Sequence, residues 1–112
     1  MGARVIFNIK QSDGLYTCLY SHWGETTATE DLALAIGKAR PRWDDESYCA
    51  RIIVSQLVGE NWDSELGFGL WASNEPCTDE EWFLIDLKEN TVTGRNGTQD
   101  FETFASVFAV AR

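Results

Sequence analysis

The chain of 112 residues has one histidine, three cysteines and nine basic residues against eighteen acids. Each scarcity excludes something. A histidine-based hydrolase needs a nucleophile and an orienting acid beside His22, but Ser21 alternates to the opposite strand face and Cys49 falls within a helix pattern, on its apolar side. Cys18, Cys49 and Cys77 show no CxxC or CxxxC spacing, and a zinc site would have to gather them with His22 from three elements. Cys18 and His22 on one strand stand about 13 Å apart, too far to share an ion. No metal or cofactor is expected. The simplest reading of His22 and Trp23 is that they close a sheet edge, with the imidazole bonded to a loop carbonyl.

Other signatures are missing too. The carboxylate groups follow no DxDxDG calcium pattern, and Gly67-Phe68-Gly69 leads into a strand without the Lys-Ser and helix start of a phosphate loop. That triplet reads instead as a bulge or a close backbone approach. No apolar run approaches the roughly 18 residues that a bilayer requires. The opening MGARVIFNIK carries neither a basic-then-apolar leader nor a myristoylation pattern. A reduced, cytoplasmic protein of one domain, residues 1–112, is the expectation, and the absence of any catalytic motif argues against an enzyme.

What the chain does have is segregated charge. Twelve of its eighteen acids lie between Asp44 and Glu89, offset there only by Arg51 and Lys88, while the flanking segments are close to neutral. Such a distribution makes an oriented negative field that repels nucleic acid and attracts basic protein surfaces. The one basic cluster, Lys38, Arg40 and Arg42, is too small to reverse that field, although it could meet an acidic patch on a second copy in a homodimer. Five tryptophans are the other abundance. Some of these bulky indoles must lie near the surface, where Trp favours interface centres.

Arg4 to Lys10 and Leu15 to His22 read as a hairpin around the Gln11-Ser12-Asp13-Gly14 turn. Thr27 followed by Glu30 matches a capping box, which predicts a helix over Thr29 to Ala39 that Pro41 ends. Asp44-Asp45-Glu46 begins a second helix, with Tyr48, Cys49, Ile52, Ile53, Gln56 and Leu57 as its apolar stripe and Gly59 as its stop. Strands are expected over Phe68 to Ser73, Trp82 to Leu87 and Thr91 to Arg95, the last before an Asn96-Gly97 turn. A helix from about Asp100 gathers Phe101, Phe104, Ala105 and Phe108 on one face. The order ββαα, two or three strands, then a helix, fits an α+β domain with helices packed on one face of a small, mostly antiparallel sheet.

Met1-Gly2-Ala3-Arg4, the run Tyr20-Ser21-His22-Trp23-Gly24 and the stretch from Ser47-Tyr48-Cys49-Ala50-Arg51 to Gly67-Phe68-Gly69 resemble a loose family of small phage and prophage proteins. These open Met-Gly-x-Arg and carry Tyr-x-His-Trp-Gly after a hairpin. Glu25 and Thr26 depart from the further glycines such proteins often have. The resemblance implies a phage-type source and a bacterial host cytoplasm, and it brings no activity with it.

Charge and tryptophans together point to partner binding. Asp44, Asp45, Glu46, Trp62, Asp63, Glu65, Asp79, Glu80 and Glu81 are the candidate contact residues, with Trp62 as apolar anchor and the acids as steering and pairing groups. Trp43 and Trp82 are interleaved with them. The expected partner is a host protein with a basic, nucleic-acid-binding surface, inhibited as an anti-CRISPR or DNA mimic would inhibit it, with no direct nucleic-acid or membrane contact. Ordinary solvated loop acids over core tryptophans would give the same composition. Two other classes remain: a small enzyme or ligand-binding domain with a pocket at His22, and an oligomeric structural or virion-associated protein.

Overall fold

A computed structural model describes residues 4–22, 27–79, 81–95 and 97–108. In order they form β1 (Val5–Lys10), β2 (Tyr16–Ser21), α1 (Ala28–Lys38), α2 (Glu46–Val58), β3 (Phe68–Ser73), β4 (Glu81–Asp86), β5 (Thr91–Gly94), β6 (Gly97–Asp100) and α3 (Phe101–Phe108), with single 3-10 turns at Arg40–Arg42 and Gly59–Asn61. The chain is therefore α+β. Its six strands make one sheet in the order β3-β2-β1-β4-β5-β6, antiparallel at every pairing except the central β1–β4 pair, which is parallel.

The first hairpin forms because its turn closes its own backbone. Gln11 N–H donates to the Leu15 carbonyl at 2.8 Å, Gly14 N–H donates back to Gln11, and the Asp13 carboxylate accepts from Leu15 N–H. Gly14 takes a φ of 91°, open to glycine and costly for other residues. Val5, Phe7, Ile9 and Leu19 then share one face with Phe83, Ile85 and Val92, and the rings of Phe7 and Phe83 stack at 5.6 Å. Leu32, Ala35 and Ile36 of α1, Cys49 and Ile53 of α2 and Phe101 and Phe104 of α3 complete this buried cluster.

The opposite face is not bare. Ile6, Asn8 and Cys18 are buried there as well. The connection from β3 to β4 has to pass behind β2 and β1, and Asn8 holds it. The Asn8 amide donates to the carbonyls of Cys77 (3.0 Å) and Phe83 (3.1 Å), while its oxygen accepts from Cys77 N–H (2.9 Å) and the Cys18 thiol (3.3 Å). A buried amide satisfied on every side specifies one loop path, because any alternative leaves polar groups dry and unpaired.

Several sequence expectations are corrected. Four strands, not two or three, follow α2, since β6 pairs with β5 from Thr91–Asp100 to Gly94–Gly97, so that Gly97, expected in a turn, belongs to a strand; Asn96 lies outside the described residues. Strand β4 starts at Glu81 and ends at Asp86, one residue earlier at each end than expected. Thr27 is the N-cap of α1 but makes no capping bond; its hydroxyl donates to Asp31 at 2.8 Å, one turn along, so the capping box does not form. Tyr48 and Gln56 leave the apolar stripe of α2 and are exposed, with Tyr48 beneath the Arg42 guanidinium at 4.5 Å. Cys49 and Ile53 alone are fully buried on that helix. The final helix begins one residue later than Asp100, whose carboxylate accepts Thr103 N–H at 2.7 Å and is thereby held below its ordinary pKa.

Candidate functional site

Eight of the nine candidate contact residues lie among the described residues, and they separate into two groups. Sheet register sets Glu81 beside Val5, Val5 beside Ser21 and Ser21 beside Phe68, so the start of β4 and the start of β3 lie at one end of the sheet. Trp62, Asp63 and Glu65 lead into that end of β3, and Asp79 leads into that end of β4. Asp44, Asp45 and Glu46 lie at the other end, where Glu46 accepts Ser12 N–H from the hairpin turn at 3.0 Å. The length of β1 between the two ends is about 17 Å at roughly 3.3 Å per residue. A thirteen-residue helix, α2, separates the groups along the chain. The two groups do not form one continuous surface track.

Internal pairing reduces what these acids offer. Asp45 pairs with Arg42 at 3.4 Å, Glu46 caps the hairpin turn, and Glu81 pairs with Arg95 of the β5–β6 connection. Asp44, Asp63, Glu65 and Asp79 are exposed, and Asp79 makes a 3.9 Å contact to the Cys77 thiol. Glu80 lies outside the described residues, as does Trp23. The basic cluster is engaged too, since Arg40 pairs with Glu102 of α3 and lies over the Trp43 ring at 4.6 Å. That pairing keeps the Glu102 carboxyl below its ordinary pKa and raises that of Arg40.

The tryptophans divide in the same way. Trp43 is a structural residue: its indole N–H donates to the Ile36 carbonyl at 2.9 Å and its ring packs on Phe101 at 5.3 Å. Trp82 is half-buried beside Glu81, Gly94 and Arg95. Trp62 is 78% exposed, the most solvent-accessible of the large apolar side chains among the described residues. Four residues further along the chain Leu66 is 63% exposed, and along β3 Leu70 and Trp71 are 60% and 39% exposed. Leu66, Leu70 and Trp71 were not singled out in the sequence. For Leu70 and Trp71 the signal was a six-residue strand without charge or proline, and its exposure depends on a strand order that no local pattern encodes.

His22 sits where β2 ends. Its Nδ1 meets the Tyr20 hydroxyl at 2.8 Å, and its backbone N–H donates to the Gly67 carbonyl. Tyr20 and His22 with residues 66–69 line an open cleft of about 420 Å³. Ser21, on the other strand face, is buried. The cysteines are split between layers: Cys18 and Cys77 both meet Asn8 behind the sheet, and Cys49 lies in the helix-side core, its pKa pushed up to about 11 by burial and by the Asp45 charge. Burial, with Cys77 nearby, raises Cys18 as well. No three His, Cys, Asp or Glu side chains gather as a metal set among the described residues. No described helix is long and apolar enough to cross a membrane.

No family model, no curated protein and no solved structure matches the chain. Function has to be argued from the arrangement itself.

Proposed function

We propose that this protein is a non-catalytic binding module that grips a basic surface of a host protein, with Trp62 as its anchor and Asp63, Glu65 and Asp79 as its pairing charges. The observation that carries the reading is Trp62, 78% exposed and adjoining two exposed acids. An indole left in water gives up much of the apolar burial open to it, and Trp is enriched among interface hot spots. The formal charge of −9 supplies long-range attraction to cationic partners. With the phage-like motifs, the partner class is a bacterial nucleic-acid-handling or defence complex in the host cytoplasm, inhibited in the manner of an anti-CRISPR. Asp44, Asp45 and Glu46, at the far end of the sheet, contribute field more than contact, so any DNA mimicry uses the shorter acidic end around Trp62.

The test is capture from bacterial lysate by the wild-type chain and by a variant carrying Trp62→Ala, Asp63→Lys, Glu65→Lys and Asp79→Lys. Loss of a specific, salt-sensitive nucleic-acid-binding protein, and recovery of that protein's nucleic-acid binding when the variant replaces wild type, is expected. Equal capture by both chains would sink the reading.

A second reading has its own observation, the Tyr20–His22 contact lining an open cleft of about 420 Å³. It makes the chain a small-ligand-binding domain. His22→Ala then abolishes ligand binding and leaves partner capture intact, the reverse of the Trp62 variant.

A further inference from the structure

Strand β3 is the outer strand on one side of the sheet, with no strand beyond it among the described residues. Its sequence, Phe68-Gly69-Leu70-Trp71-Ala72-Ser73, has no charge, no proline and no bulge. Protected edges normally carry at least one of these. The phase of its backbone is fixed by the hydrogen bond from His22 N–H to the Gly67 carbonyl together with the β2–β3 register, in which Tyr20 faces Gly69 and Cys18 faces Trp71. Gly69 and Trp71 therefore direct their N–H and C=O groups inward to β2. Leu70 and Ala72 direct theirs outward.

An outward-facing ladder could accept any extended segment, but one feature selects the occupant. Gly69 takes no left-handed conformation, and a Cβ added to it would meet only the Tyr20 Cβ at 3.9 Å, an ordinary contact. Nothing among the described residues requires glycine there, and glycine weakens a strand. When β3 is laid antiparallel on its own copy about a twofold axis at Leu70, Leu70 exchanges two hydrogen bonds with its counterpart. Trp71 of each copy then falls directly opposite Gly69 of the other. The missing side chain leaves room for the indole to lie across the neighbouring backbone, a pairing that aromatics make with edge glycines. Leu70 meets Leu70 on the helix side. Both exposed apolar side chains of β3 are covered at once, one on each face of the joined sheet.

We propose that two copies of this chain associate through β3, antiparallel about Leu70, continuing the sheet from one copy into the next. Each copy is formally −9, so the copies repel at long range and added salt strengthens the pairing. Binding to a basic partner has the opposite salt dependence, which keeps this surface distinct from the one assigned to Trp62.

The experiment is sedimentation equilibrium of the whole chain, from low micromolar to submillimolar concentration and in low and high salt, together with amide hydrogen exchange at both ends of the concentration range. A species of twice the 12.6 kDa chain mass is expected to grow with concentration and with salt. The Leu70 and Ala72 amides should gain protection in step with it, while Gly69 and Trp71, already bonded to β2, stay unchanged. Leu70→Lys and Gly69→Thr should both lose the dimer with an unaltered fold by circular dichroism, whereas Leu15→Lys, an exposed apolar position at the hairpin turn, should keep it. A monomer at submillimolar concentration in high salt overturns the proposal. So does a dimer that leaves the Leu70 and Ala72 amides unprotected, or one that survives Gly69→Thr.

Discussion

The two outer strands of the sheet follow opposite plans. Strand β6 has four residues, Gly97–Asp100; it bonds to β5 by its backbone and by a 2.8 Å Thr93–Thr98 hydroxyl contact, and its last residue caps α3. Strand β3 has six residues, no charge and two exposed large apolar side chains. Beneath the end of β6 the chain plunges directly into the core at Phe101, whereas on β3 Phe68 packs against the core and Leu70, Trp71 and Ala72 are left exposed. An edge that is short, polar and tied to buried structure is a finished surface. An edge that is long, apolar and untied is a surface still waiting for a partner.

That contrast can be broken most sharply on the finished side. Phe101→Ala should cost about 3–4 kcal/mol in urea unfolding, because the ring is fully buried against Trp43 and its loss leaves a cavity between α3 and the sheet. A cost near 1 kcal/mol would mean that the β6–α3 corner is not anchored as described. Asn8→Ala should cost about 3 kcal/mol, since it leaves the Cys77 N–H and carbonyl without their partner in the crossing loop behind β2 and β1. Faster alkylation of Cys18 in that variant would show that the loop has lifted. Cys49, with its pKa near 11, should stay slow in both proteins.

Gly94→Ala should cost about 2 kcal/mol, because an added Cβ would stand 2.9 Å from the Phe83 ring, which is already stacked on Phe7. The same change at Gly69 should be close to neutral in dilute solution, which separates a glycine the fold needs from one it does not. A smaller effect is expected at Asp100. Its folded pKa is depressed by the Thr103 N–H, so its contribution is present above the unfolded carboxyl pKa and is lost as pH falls through the folded value. Asp100→Asn keeps a capping oxygen but should flatten that part of the acid limb, as read from thermal midpoints across pH 2–6 relative to wild type. Smallest of all, Leu70→Ala should change monomer stability by less than about 0.5 kcal/mol. A larger loss in dilute solution would show that β3 is buttressed from within.

Much of the fold was legible in local pattern. The Gln11–Gly14 turn, the start of α2 after Asp45 with its stop at Gly59, and the β3 boundaries all follow from residues that act over one to four positions. Strand β6 escaped because Gly97-Thr98-Gln99-Asp100 carries no apolar alternation and becomes a strand only through pairing with β5. The Thr27 capping box failed for a related reason: the Asp31 carboxylate competes for the hydroxyl, and composition cannot say which acceptor wins. Of the candidate contact residues, Trp62, Asp63, Glu65 and Asp79 lie at one end and Asp44 to Glu46 at the other, a division invisible in a linear run of acids. Trp43, interleaved with the acids in sequence, was not the anchor that Trp62 was expected to be. Its N–H found a backbone carbonyl and its ring found Phe101, so it became part of the interior.

By itself the sequence determined the class of the protein: an α+β chain, strongly acidic in its middle, with apolar periodicities that specify two helices and a hairpin. Those properties are sums or short-range couplings, and they survive any arrangement of the elements. The tertiary structure alone decided which strand stands at the edge, which glycine has room to spare, and which tryptophan is left in water. Each of those depends on contacts between residues far apart in the chain, and loop closure between them is dictated by packing of the whole and not by any one segment.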